Sequence, residues 1–300
     1  MREMKPLGLV FAGSLVALTA GSVRADSLVD NLSARSIGMG ETMRGSAHAD
    51  LSISLNPAGL ALSRQLVLEA SYGYRPVDNA SRVSASACDA TVPMPGCFYY
   101  QYFGASPEVG EAGASRRVHE AGSVFARQIS DVVFAGLTVK YFDYSTSVPG
   151  EQGSSGFALD LGTVVRAGDH VEFGLAGYNL LAEDSPQYPR GLGSGVTFRP
   201  VNQLAVAVDG VWNFDAEEGE GGGRYGLGAE YFFTTPDGQS GVPIRAGGIY
   251  DAGRDGRFLT AGTGYVTRRA GIDAGLRYQL GDGDELIMLV SLRLFGPAFE

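Results

Sequence analysis

The stretch VFAGLTVKYF, Val133 to Phe142, alternates strictly. Val133, Ala135, Leu137, Val139 and Tyr141 share one face, while Phe134, Gly136, Thr138, Lys140 and Phe142 share the other. A period of two is the signature of a β-strand with two different environments. The pattern returns over Phe157–Arg166, Leu204–Asp215, Tyr225–Phe233 and Ile272–Leu280. One face is apolar and rich in Tyr, Phe and Leu. The other carries one or two charges in mid-strand among Gly and Ala.

That second face decides between two all-β architectures. The water-facing side of a soluble sandwich has no reason to be narrow. A face of small residues with charges of both signs suits an enclosed lumen, where side chains from opposite walls must fit and pair. The apolar face then meets lipid, with aromatic residues near the strand ends. The expected lumen charges are Glu69, Arg75, Lys140, Asp160, Arg166, Glu172, Asp209, Glu230, Arg245, Asp273, Arg277 and Arg293. Taken singly, each also fits a solvated strand face.

Working outward, fourteen such segments fall near 65–76, 81–89, 96–104, 116–129, 132–145, 155–167, 170–181, 190–199, 203–215, 224–234, 242–252, 257–267, 270–280 and 284–296. The connections alternate between tight (Ser130-Asp131, Ala167–Asp169, Arg268-Arg269) and long and polar (Gly104–Ser115, Thr146–Ser154, Ala182–Pro189, Asp215–Gly223). Two loop classes in alternation mean two different sides. The reading is an all-β, 14-stranded antiparallel transmembrane barrel over residues 65–300. Twelve strands is the alternative, because the alternation is faint over 81–89 and 190–199.

Composition agrees with this class. The chain has 300 residues, 44% of them hydrophobic and 19% charged, with 44 Gly and a net charge of −10. Lysine occurs only at Lys5 and Lys140, so no basic stripe exists to bind nucleic acid or an inner-leaflet surface. Arg2 and Lys5 precede the apolar run Pro6–Gly21, and Val23-Arg24-Ala25 offers a cleavage site. This three-part arrangement reads as a signal peptide over 1–25, with a membrane anchor as the alternative. No later run of 18 apolar residues supplies a transmembrane helix. The expected location is the bacterial outer membrane. The expected partners are its lipid and lipopolysaccharide, the barrel-assembly machinery acting on Phe295 or Phe299, and a small hydrophobic ligand, with the barrel acting as a monomer.

Residues 26–64 have another character. SIGMG at Ser36–Gly40 leads into an expected short helix from Glu41 to Ala49. NPAGLAL follows at Asn56–Leu62, where Asn56 reads as an N-cap and Pro57 as the first helical position. A barrel of fourteen strands has a lumen wide enough to need filling, and this segment is read as a hatch inside it. The residues ARSIGMGETMRGSAHAD and LSISLNPAGLAL resemble the N-terminal hatch of the FadL-like family of long-chain fatty-acid and hydrocarbon transporters, with TodX-like and PorV-like relatives. The resemblance implies that Gly38 and Gly40 form the hatch turn. It places Asn56, Pro57 and Ala58 in the hatch motif beside a hydrophobic ligand. It also implies a sideways exit into the bilayer at an inward kink of the third strand. Here that strand, near Gly96–Gly104, offers no internal kink beyond its flanking Pro95 and Gly104.

Cys88 and Cys97 flank the second connection, and an exported chain favours a disulfide between them over two free thiols. The histidines, His48, His119 and His170, have no metal-ligand spacing. Hydrolase, nucleotide-binding and zinc-protease motifs are absent from the sequence, so neither a catalytic residue nor a cofactor is assigned. His119 with Ser123 is the one loose catalytic pairing. The acidic loop Asp215–Arg224 reads as a solvated external loop, with calcium binding as the alternative. Two functions remain open: passive uptake of small hydrophobic molecules, or a PorV-like scaffold for secretion.

Overall fold

A computed structural model describes residues 33–106, 113–181, 187–214, 223–236, 238–281 and 285–296. The expected signal peptide, the first residues of the hatch, Phe299 and nearly all of the acidic loop lie outside them. Fourteen strands form one closed antiparallel barrel in which each strand pairs with its chain neighbours and β1 pairs with β14. They are β1 (Leu66–Arg75), β2 (Ala80–Asp89), β3 (Gly96–Ala105), β4 (Arg116–Gln128), β5 (Val133–Thr146), β6 (Ser154–Ala167) and β7 (Val171–Tyr178). The second half comprises β8 (Gly191–Val201), β9 (Leu204–Asn213), β10 (Gly223–Thr234), β11 (Ser240–Asp251), β12 (Gly256–Thr267), β13 (Ala270–Leu280) and β14 (Leu286–Phe295). The twelve-strand alternative is therefore excluded.

The alternation has a plain physical use. Outward positions such as Phe157, Leu227 and Leu276 are exposed, and inward ones such as Ala158, Asp160 and Arg277 are buried. Every backbone group of a lipid-embedded strand needs a partner, and closure supplies it. The turns at 129–132, 168–170, 202–203 and 268–269 define a short-turn end, and the longer connections define the opposite end.

Inside the barrel lies a plug that precedes β1. It contains α1 (Ala34–Gly38), α2 (Leu51–Ser54) and a 3-10 helix, Pro57–Leu62. The helix expected over 41–49 is not formed. Glu41, Met43 and Ala49 have positive φ, which breaks an α-helix. This stretch instead follows the barrel wall, where Glu41 and Arg44 reach charged partners, and those contacts override local propensity. The helices that do form flank it. Ser33 caps α1 by accepting from the Arg35 N–H.

Candidate functional site

The plug winds around the inner wall from β13 to β4, and glycines let it lie flush. Gly275 of β13 faces Ala34, Gly262 of β12 faces Gly38, and Gly228 of β10 faces Met39. Gly174 of β7 faces Arg44, Gly162 of β6 faces Asn56, and Gly136 of β5 faces Pro57 and Ala58. A Cβ added to Gly136 would come within 2.5 Å of the Ala58 nitrogen, so no larger residue fits without displacing the plug. These glycines serve close backbone approach. Gly40 adds a conformational requirement, with φ of 68° where the chain turns past β10 and β11.

Ion pairs pin the plug to the same wall. Arg35 bonds Glu230 at 2.6 Å, Glu230 bonds Arg245 at 2.6 Å, and Arg245 bonds Asp273 at 2.6 Å. Asp273 also bonds Arg293. Glu41 bridges Arg224 at 2.8 Å and Arg277. Arg44 donates to Asp209 at 3.0 Å and to the Tyr178 hydroxyl at 2.8 Å. The Tyr178 hydroxyl donates to the Leu55 carbonyl. Burial, with the Arg35 guanidinium beside it, pushes the His48 imidazole down to about 3. Arg35 lies 2.9 Å from Nε2 of His48, and the Ser46 carbonyl lies 3.0 Å from Nδ1, an arrangement that suits a neutral ring.

Asn56 does more than cap. Its Oδ1 accepts from the Ala58 N–H at 3.2 Å, while its Nδ2 donates to the Arg44 carbonyl and the Thr163 carbonyl, each at 3.0 Å. One side chain thus ties two plug segments to β6. Cys88 and Cys97 are joined by a disulfide on the lumen side, packed with Ile53 and Leu60 of the plug.

Above the plug, toward the long-loop end, the wall changes character. Phe103, Val118, Phe142, Tyr144, Ile287 and Leu289 form a buried apolar cluster that includes Ile37 of the plug. Tyr188, from the connection after β7, enters this cluster and stacks on Phe142 with ring centroids 4.0 Å apart. Below the aromatic layer runs a polar one. Arg82 donates to Gln101, Tyr99 donates to Glu120 at 2.8 Å, and Lys140 bonds Asp160 at 2.8 Å. The lumen is therefore two-sided: a plug latched by charge to β9, β10 and β13, and an aromatic cluster against β14 and β2–β6.

Of the twelve expected lumen charges, Arg166 departs most. It sits at the short-turn rim with its side chain 37% exposed, 3.5 Å from Glu172. Sequence reasoning missed Arg35, Glu41 and Arg44 as latches, and Arg82 and Glu120 as lumen residues. It took the Gly-x-Gly steps only as small residues in strands, without the plug that lies against them. Their inward parity, shared by Gly226, Gly228 and Gly262, was the available signal. The loose pair His119 and Ser123 lies on the outer face of β4, with Nδ1 of His119 2.8 Å from the Tyr100 hydroxyl. The third strand pairs without interruption to both neighbours, Asp89↔Gly96 to Ser81↔Gly104 and Gly96↔Phe125 to Ala105↔Arg116. The sideways exit implied by the family resemblance has no counterpart there.

No family model and no curated protein matches the chain. Solved structures do match in fold. The CymD monoaromatic hydrocarbon channel superposes with a TM-score of 0.67 at 14% identity, over 88% of this chain and 97% of its own. A deletion mutant of the TodX monoaromatic hydrocarbon channel gives 0.65 at 12%, over 90% and 99%. The Pseudomonas putida toluene transporter TodX gives 0.62 at 12%, over 88% and 97%. At this identity the likeness concerns the fold: a fourteen-stranded barrel with a small helical N-terminal segment.

Proposed function

We propose that the chain is an outer-membrane channel for passive uptake of small hydrophobic molecules, aromatic ones included. The observation that carries this reading is the buried aromatic cluster above a pinned plug. Phe103, Phe142, Tyr144 and Tyr188 present ring faces and edges that attract apolar and aromatic ligands. The fold neighbours named as hydrocarbon channels support the same choice, as does the absence of an enzyme motif from the sequence. The sealing of the lower lumen by ion pairs favours the second reading, a PorV-like scaffold, which would need no path at all.

Purified protein in liposomes discriminates between them. Uptake of radiolabelled toluene should exceed that of empty liposomes. Replacing Phe103 and Phe142 together by Ser should lower it about tenfold while the barrel stays heat-modifiable on gels. Wild-type protein that accelerates nothing would remove the channel reading and leave the scaffold.

A further inference from the structure

The chain carries a net charge of −10, yet one stretch of the barrel's edge is cationic. Arg64, just before β1, and Arg268 and Arg269, in the turn between β12 and β13, stand exposed at the short-turn end. Backbone bonds bring them to one place. The Phe295 N–H at the end of β14 donates to the Arg269 carbonyl at 2.9 Å, and the Gly296 N–H donates to the Leu66 carbonyl at 2.8 Å. The turn, the end of β14 and the start of β1 are therefore consecutive along the rim. Two strand spacings, about 10 Å, separate the outer two, so arginine side chains from both sides reach a shared anion.

The other charges at this end are differently engaged. Arg166 and Arg199 are both bound to Glu172. Arg127 stands on β4, three strands from β1. Asp89, opposite Leu66 on β2, accepts from the Thr91 N–H at 2.9 Å and from its hydroxyl at 2.6 Å. Asp273 faces the lumen, held by Arg245 and Arg293. The outer face of the same strands, further along the wall from the arginines, is aliphatic. Leu68 pairs with Leu294, and Ile272 with Leu292, and all four are exposed. Ala70 and its partner Ala85, also exposed, keep the surface low beside them. Guanidiniums at the end of an aliphatic band match an anionic phospholipid, with phosphate at the rim and acyl chains along the band.

We propose that this edge binds the phosphate of an anionic phospholipid in the leaflet at the short-turn end, with the acyl chains lying along Leu292 and Leu294. Three guanidiniums exceed the single charge of one phosphodiester. A lipid with two phosphates, cardiolipin, is therefore preferred to phosphatidylglycerol, and both to zwitterionic phosphatidylethanolamine. The site spans β13, β14 and β1, so a lipid bound there links the first and last strands from outside. It needs only a membrane-spanning barrel, and it holds for a channel and for a scaffold alike.

The test uses the full-length barrel in detergent micelles, with each lipid added and the bound copies counted by native mass spectrometry. Each basic residue near an anionic lipid surface contributes about fivefold in affinity. Arg64→Gln, Arg268→Gln and Arg269→Gln combined should therefore weaken cardiolipin binding about a hundredfold, and the turn pair alone about twenty-five-fold. Arg127→Gln should leave it unchanged. Cardiolipin should raise the temperature at which the wild-type barrel opens on gels, and should not do so for the triple variant. Excess inorganic phosphate should leave the lipid bound. Equal cardiolipin binding by the wild type and the heat-modifiable turn-pair variant would overturn the proposal, as would equal affinity for cardiolipin and phosphatidylethanolamine. Displacement by inorganic phosphate would reduce the edge to a simple anion site and overturn the lipid. Wild-type protein that binds no lipid but holds polyglutamate through the same arginines would overturn it in favour of an acidic protein partner.

Discussion

Replacing Asn56 by Ala should release the plug without unfolding the barrel. The loss of the cap alone costs about 1 kcal/mol. The side chain is fully buried, however, and its amide also satisfies the carbonyls of Arg44 and Thr163. A methyl group leaves both acceptors unpaired out of reach of bulk water, at about 1–3 kcal/mol each. The sum, roughly 3–7 kcal/mol, falls on a short segment, whereas the barrel is closed by strand pairing of its own. Limited proteolysis of folded protein, read by cleavage after Arg44 and Arg64, measures plug release, and gel heat-modifiability measures the barrel. Asn56→Asp sharpens the test. It keeps the acceptor for Ala58 but points a carboxylate at two carbonyls, so it should release the plug at least as readily as Ala. Protection from protease equal to wild type in both variants would refute the reasoning.

Three further outcomes follow from the same geometry. Asp209→Ala strands the buried Arg44 guanidinium, and should weaken plug docking by about 3–5 kcal/mol as read by hydrogen exchange of the plug amides. His48 is held neutral down to about 3, whereas in a released plug it would take up a proton near 6.5. Docking stability is therefore full above about 6.5 and falls with acid below it, by about 2 kcal/mol at pH 5. Protease sensitivity of the plug should rise over that range, and His48→Gln should flatten the rise. Reduction of Cys88–Cys97, which closes a loop of sequence separation 9, should cost about 2–3 kcal/mol. It should speed thermal unfolding, and mass spectrometry of unreduced protein should find neither thiol free.

Much of the barrel was legible because its signal is a face. Val133–Phe142 and Ile272–Leu280 alternate so cleanly that strand positions come out within a few residues of those observed. Even SRVSASA of β2, which lacks an apolar face, was placed by its neighbours. The expected strand over 170–181 ends instead at Tyr178, because Asn179 adopts a left-handed φ of 54°. No periodicity announces a single residue of that kind. The plug was legible at Asn56 and Pro57, where capping is local chemistry. It was misread over 41–49, where Glu41 and Arg44 take their conformation from Arg277, Arg224 and Asp209, residues 160 to 240 positions away in the chain. The glycine contacts were hidden for a related reason: a missing side chain records nothing about what lies against it.

The close fit between plug and wall bears on how the molecule is made. The plug precedes β1, and the cylinder is completed only when β1 meets β14, the last strand synthesised. A segment that touches Gly262, Gly228, Gly162 and Gly136 without clearance cannot slide into a finished cylinder past its latching arginines. It must be laid against the curling sheet first, with the final seam zipped around it. Plug seating and barrel closure are then one assembly event. A bulky residue at any of those glycines would act before the mature protein exists, by holding the two ends of the sheet apart.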